Sequence, residues 1–262
     1  MTNGTMSPLP VLGSVRDEMS IGKSRYDALN LSYRQRGWHK VDLVANYTLA
    51  RAMGYNQDGG SFRYYPRDPQ RPLSPFEFGP AFNDERHHVT LAGTVHLPWG
   101  MEVSPILQAG SARPYNPVSS YNQLNLGGGS SAGALIVPNT DPNNLSAFPA
   151  NTGVPATDDA QTLAAAQCYY SGNCHIAGYN SLRGDPYFNV DARVAKNIKL
   201  GEHRNLQLAF QGFNLFNHAN YGNNFDTTIQ DTSFARPIGF INPTSTTLPR
   251  SFTGEFGARF TF

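Results

Sequence analysis

Apolar residues recur at every second position through most of this chain, and that period leaves few folds open. In "HKVDLVANYTLAR", Val41, Leu43, Ala45, Tyr47 and Leu49 share one face, while Lys40, Asp42, Asn46 and Thr48 share the other. "RHHVTLAGTVHLPWG" sets Val89, Leu91, Val95 and Leu97 against His88, Thr90, Thr94 and His96. "YFNVDARVAKN" and "NLQLAFQGFN" alternate in the same way. A period of two is that of a β-strand, whose successive side chains point to opposite faces. With "YDALNLSYRQR", "MEVSPILQAGSAR" and the C-terminal "PRSFTGEFGARFTF", the count reaches about seven strands. Only "DDAQTLAAAQ", at 158–167, reads as a helix. The fold is therefore expected to be all-β and antiparallel.

The connections narrow the choice. "RGW", "PWG" and "GEHRN" are short, whereas the links near 52–84, 114–185 and 218–248 are long. Ordinary loops above roughly 15 residues are uncommon in soluble domains. Strict short–long alternation is the habit of a transmembrane barrel, with tight periplasmic turns and long extracellular loops. On this reading Phe252, Phe256 and Phe260 meet lipid, and Glu255 and Arg259 face a wet interior. The edge strands are expected near 24–35 and 250–262, unpaired with each other. Seven strands fall below the roughly eight of the smallest closed single-chain barrel, so an open, partial barrel is expected.

Composition agrees. Charged residues make up 15%, against roughly 25% in soluble domains. A net charge of +1 gives no field that would draw nucleic acid, so no nucleic-acid partner is expected. No run of about 18 apolar residues exists, so no transmembrane helix is expected, but a barrel strand needs none. Residues 1–21 read as an irregular segment without the basic and apolar regions of an export signal. Residues 22–262 read as barrel. The alternative is a secreted soluble β-sandwich that binds carbohydrate through Tyr-rich loops, because sandwich strands alternate too.

Three segments resemble the end of TonB-dependent receptors of the large Oar-like type: "FNDERHHVTLAGTVHLPWG", "FQGFNLFNHANYG" and "PRSFTGEFGARFTF". The resemblance runs from about Ser20 onward and implies the last third of such a receptor's barrel in a Gram-negative outer membrane. It implies a parent that takes up a scarce large solute, a siderophore or a glycan. The plug domain and the N-terminal part of that barrel are not found here, so transport by this chain alone is not expected. The alternating aromatics Phe252, Phe256, Phe260 and Phe262 resemble the signal that outer-membrane proteins present to the barrel-assembly machinery. Outer-membrane lipid, that machinery and the missing barrel and plug are thus the expected partners.

The remaining candidates are few. Cys168 and Cys174 in "CYYSGNCH" offer a small disulfide loop. With His175 they give too few ligands for zinc, which needs about four, so no metal or cofactor is expected. "GGGSSAG" at 127–133 lacks the Lys-Ser/Thr and helix of a phosphate loop. Asp58, Asp68, Asp84 and Glu85 could supply a carboxylate pair, but no catalytic motif surrounds them, and no enzyme activity is expected. Tyr47, Tyr55 and Tyr187 sit where an interfacial girdle would. Tyr121, Tyr169 and Tyr170 lie deep in a long loop, and with His175 they are the expected ligand contacts. That loop, 114–185, is expected to carry little regular structure.

Overall fold

The computed structural model describes residues 22–55, 73–119, 123, 135–148, 155–241 and 250–262. Seven long strands form one antiparallel sheet in chain order: β1 (Ser24–Trp38), β2 (Val41–Tyr55), β4 (His87–Leu97), β5 (Met101–Gly110), β10 (Tyr187–Lys199), β11 (Asn205–Phe213) and β12 (Thr253–Thr261). A short β3 (Phe78–Pro80) pairs with the end of β2. The two-residue strands β6 (Pro114–Tyr115) and β9 (Leu182–Arg183) pair, as do the three-residue strands β7 (Ile136–Pro138) and β8 (Cys174–Ile176). One helix, α1 (Pro155–Tyr170), completes the order. β1 and β12 are the two edges of the sheet and do not pair with each other. The sheet is open.

The register joins the strand patterns into two faces. Phe256, Phe210, Val194, Val103, Val95 and Val41 lie side by side across six strands. Phe260, Leu206 and Ile198 form a second apolar row. On the opposite face Glu255, Gln211, Arg193 and Ser104 lie in one row. Ser104 then bonds Thr94 at 3.0 Å, and Thr94 pairs with Asp42. A one-residue slip in any strand would exchange these faces, so the register is strongly specified. Arg25, Asp27 and Arg51 lie on the apolar face at its long-link end, and so does Lys196 further along. Lys196 sits near the short-turn end, where a long side chain can carry its charge to the interface.

The apolar face is bare. Leu29, Leu31, Leu91, Val194, Phe210 and Phe260 are each more than a third exposed, and Phe256 is 73% exposed. Apolar surface of this extent is rare on a soluble monomer and suits hydrocarbon. Among the described residues no second sheet packs against the large one, as a sandwich requires. The buried apolar clusters lie instead in the connections. Strands of 9 to 15 residues meet the roughly 9–11 that a tilted span needs.

Short turns and long links fall on opposite ends, as expected. At the β4–β5 turn, Pro98–Gly100, Gly100 has φ 74°, and a Cβ there would stand 2.7 Å from the carbonyl oxygen of Asn197. The turn therefore needs glycine.

The 114–185 connection departs from expectation. It holds a 16-residue helix and both small ribbons. The helix begins at Pro155, which suits a first turn, and runs through Ala164–Ala166, residues with high helix propensity. The β7–β8 ribbon lies between two apolar clusters. Ile136 and Ile176 pack against Ala165 and Tyr169 of α1, while Leu135, Val137 and Ala177 pack with Leu145 and Ile229.

Candidate functional site

The site lies in this loop unit. α1 ends in a Schellman motif: Gly172 N–H donates to the Tyr169 carbonyl at 3.1 Å, and Asn173 N–H to the Cys168 carbonyl at 3.1 Å. Gly172 supplies the left-handed step, φ 78°. The reversal brings Cys174 back beside Cys168 with 5.3 Å between Cα atoms, and the two form a disulfide. The chain then enters β8, so Tyr169 and His175 arrive at one place from opposite sides of the reversal.

They line a cleft of about 650 Å³ together with Leu73, Phe76, Asn139 and Ile176. The His175 ring stacks on Phe76, with centroids 4.4 Å apart and 20° between planes. Asn139 fixes its tautomer. The Asn139 amide nitrogen donates to the Gly172 carbonyl at 2.7 Å, so its oxygen is the atom that faces His175 Nδ1, also at 2.7 Å. Nδ1 therefore carries the proton and Nε2 is left as an acceptor. Burial lowers the His175 pKa below its ordinary value, which favours this neutral form.

Of the expected contacts, Tyr169 and His175 share the cleft, and Tyr169 is buried. Tyr170 stands edge-on to Tyr169, half exposed and outside the cleft lining. Tyr121, Asp58, Asp68 and the glycine-rich 127–133 lie outside the described residues. Phe76 was missed by sequence reasoning. It sits in a Pro-rich link with no period, and its only signal was its aromatic character in "SPFEF".

Asp84 and Glu85 are separated into two ion pairs at the rim of the sheet. Asp84, with 1% of its side chain exposed, accepts from Arg183 Nη2 at 2.8 Å and from the Ala52 N–H at 2.7 Å. Glu85 accepts from Arg113 and lies 3.0 Å from His88 Nδ1. Tyr187 completes that cluster, its hydroxyl 2.8 Å from His88 Nδ1. Tyr187 is 5% exposed and on the polar face, so it is not a girdle residue as its position suggested. Gly110 makes room for it: a Cβ there would meet the Tyr187 ring at 2.2 Å. These carboxylates hold the long connections onto the sheet. Among the described residues no group of His, Cys, Asp and Glu could hold a metal ion.

An antiparallel sheet with one bare apolar face, one polar face and its buried clusters in the long connections defines a segment of an outer-membrane barrel. The family model described as outer membrane beta barrel domain matches residues 2–252, and the chain belongs to that family. Its place is the outer membrane, and the soluble secreted sandwich is set aside. No curated protein and no solved structure matches the chain.

Proposed function

We propose that this chain is the C-terminal barrel segment of an Oar-like TonB-dependent receptor, whose parent takes up a scarce large solute such as a siderophore or a glycan. The observation that carries the reading is the pair of unpaired edges. β12 is exposed along its whole length and β1 nearly so. Exposed edge N–H and C=O groups are not tolerated in hydrocarbon, so the sheet calls for further strands to close it. Those strands and a plug are the partners this reading requires, and without them the segment does not transport. Lipid meets the apolar face. Phe252, Phe256, Phe260 and Phe262 serve as the assembly signal, with the last three strongly exposed along or just beyond β12. No catalytic role is assigned.

The test is expression with and without detergent. A folded, monodisperse protein in plain buffer would overturn the membrane reading. Co-expression with a plug and the preceding strands of an Oar-like receptor is expected to yield a heat-modifiable barrel, and failure of the two parts to assemble would count against the receptor assignment.

A further inference from the structure

We propose that the long-link end of β1 and β2, on the lipid-facing side, binds the phosphorylated headgroup of an outer-leaflet lipid. This rests on the outer-membrane placement and not on the receptor assignment. Arg25, Asp27 and Arg51 share the face of Leu29 and Leu49, by the alternation of the paired strands, and all three are exposed. Lys23, one step before β1, keeps to the same side. Its Nζ lies 5.1 Å from the centroid of the Phe78 ring, and Phe78 pairs with Tyr55 of β2.

The depth of these charges follows from the strand. Arg51 lies ten positions after Val41, which is roughly 33 Å of strand and about 25 Å of height at a tilt near 40°. That is the height of a barrel's apolar band, so Arg51 and Asp27 stand at its outer rim, with Arg25 and Lys23 just beyond. A charge on the lipid face is strongly destabilising at the midplane and costs little at this depth. Asp27 holds Arg25 side-on, 2.7 Å from Nε and 3.3 Å from Nη2, and Arg51 is its cross-strand partner. Among the described residues one carboxylate thus stands among three cations. In sequence the 56–72 link that follows β2 carries Arg63, Arg67 and Arg71 against Asp58 and Asp68, which adds to the positive sign. The anion at hand in a headgroup layer is lipid phosphate, and the planar fork of arginine matches its oxygens. Leu29, Leu31 and Leu49 continue the patch toward the midplane as exposed apolar side chains. One lipid can therefore set its phosphate on the arginines and lay its acyl chains along the leucines.

The test uses the full chain refolded in nonionic maltoside micelles. Native mass spectrometry measures retention of bisphosphorylated lipid A, of its dephosphorylated form and of inorganic phosphate. The bisphosphorylated lipid is expected to bind. Lys23→Gln/Arg25→Gln/Arg51→Gln should weaken it about hundredfold, and Arg51→Gln alone about fivefold, which serves even if the triple variant fails to fold. Lys196→Gln, on the same face at the opposite end, should leave it unchanged. Equal retention of the dephosphorylated lipid, indifference to the rim variants, or an equal loss in Lys196→Gln would overturn the assignment. Inorganic phosphate bound as tightly as the lipid would reduce the patch to a simple anion site and overturn it too. None of these outcomes touches the receptor reading, which falls on failure to assemble with a plug and the preceding strands.

Discussion

Replacing Arg183 by Ala is expected to release the loop unit from the sheet without unfolding the sheet itself. Arg183 lies in β9, at the base of the 114–185 connection, and Asp84 lies between β3 and β4. The guanidinium donates to the Asp84 carboxylate at 2.8 Å, to the Asp84 carbonyl at 3.1 Å and to the Ala112 carbonyl at 3.2 Å. Removing it strands a carboxylate whose side chain is 1% exposed. Breaking a buried pair from one side costs about 3–5 kcal/mol. Arg86, 3.6 Å from the same oxygen, remains, and Arg183 is itself a third exposed, so the low end applies. About 3 kcal/mol corresponds to roughly 150-fold in the opening equilibrium. Hydrogen exchange read by mass spectrometry in micelles can follow it. Tyr179 N–H, bonded to the Phe76 carbonyl at 3.0 Å, and Gly184 N–H, bonded to the Arg113 carbonyl at 3.0 Å, report the docked state. Peptides spanning 174–186 should exchange faster by about two orders of magnitude, with those of β4 unchanged. Adding Asp84→Asn to the Arg183→Ala chain should restore part of the protection, because the stranded charge is gone. Exchange raised less than about threefold, or raised equally in β4, would refute the clamp.

Phe256→Arg should destabilise the micelle- or bilayer-inserted protein by up to about 2–4 kcal/mol, and Gln211→Arg on the polar face by far less; urea titration followed by gel mobility distinguishes them. Because burial lowers the folded-state pKa of His175, the unfolded loop binds more protons between the two values, so its contribution is present above about pH 6.5 and is lost as pH falls. Exchange of the 174–186 peptides should therefore quicken from pH 7 to 5 beyond its chemical pH dependence, and His175→Phe should abolish that excess. Folded protein alkylated without reductant should keep its native mass at Cys168 and Cys174; the Cys168→Ser/Cys174→Ser chain should lose about 2 kcal/mol or less, confined to the loop, because the ring is so short.

The barrel segment was legible because each strand states its own geometry. The alternation of "HKVDLVANYTLAR" needs no partner to be read, and the observed register of Val41 with Val95 and Leu43 with Gly93 follows from matching apolar faces. Both edges were legible for the same reason: counting strands in chain order leaves β1 and β12 at the ends. The disulfide could be read from the short spacing of its cysteines and the turn residues Ser171, Gly172 and Asn173 between them.

The loop unit was not legible, and the separations explain it. Asn180 donates to the Pro80 carbonyl across 100 positions, Arg183 reaches Asp84 across 99, and Asn223 reaches the Phe82 carbonyl across 141. Nothing periodic marks such pairs. Ile136–Pro138 is too short to show alternation, and it becomes a strand only because Cys174–Ile176 lies beside it with α1 on top. The helix was visible as "DDAQTLAAAQ", yet nothing in that stretch states what it packs against. Asp84 and Glu85 illustrate the consequence most sharply. Adjacent acids in a sequence invite a shared proton or a shared metal. Here the chain sends them to different cations, Arg183 and Arg113, and each acid fastens a different part of the long connections to the rim. The cleft depends on that fastening. Phe76 comes from the β2–β4 link and His175 from the β5–β10 link, so their 4.4 Å stack exists only while the two links are held together.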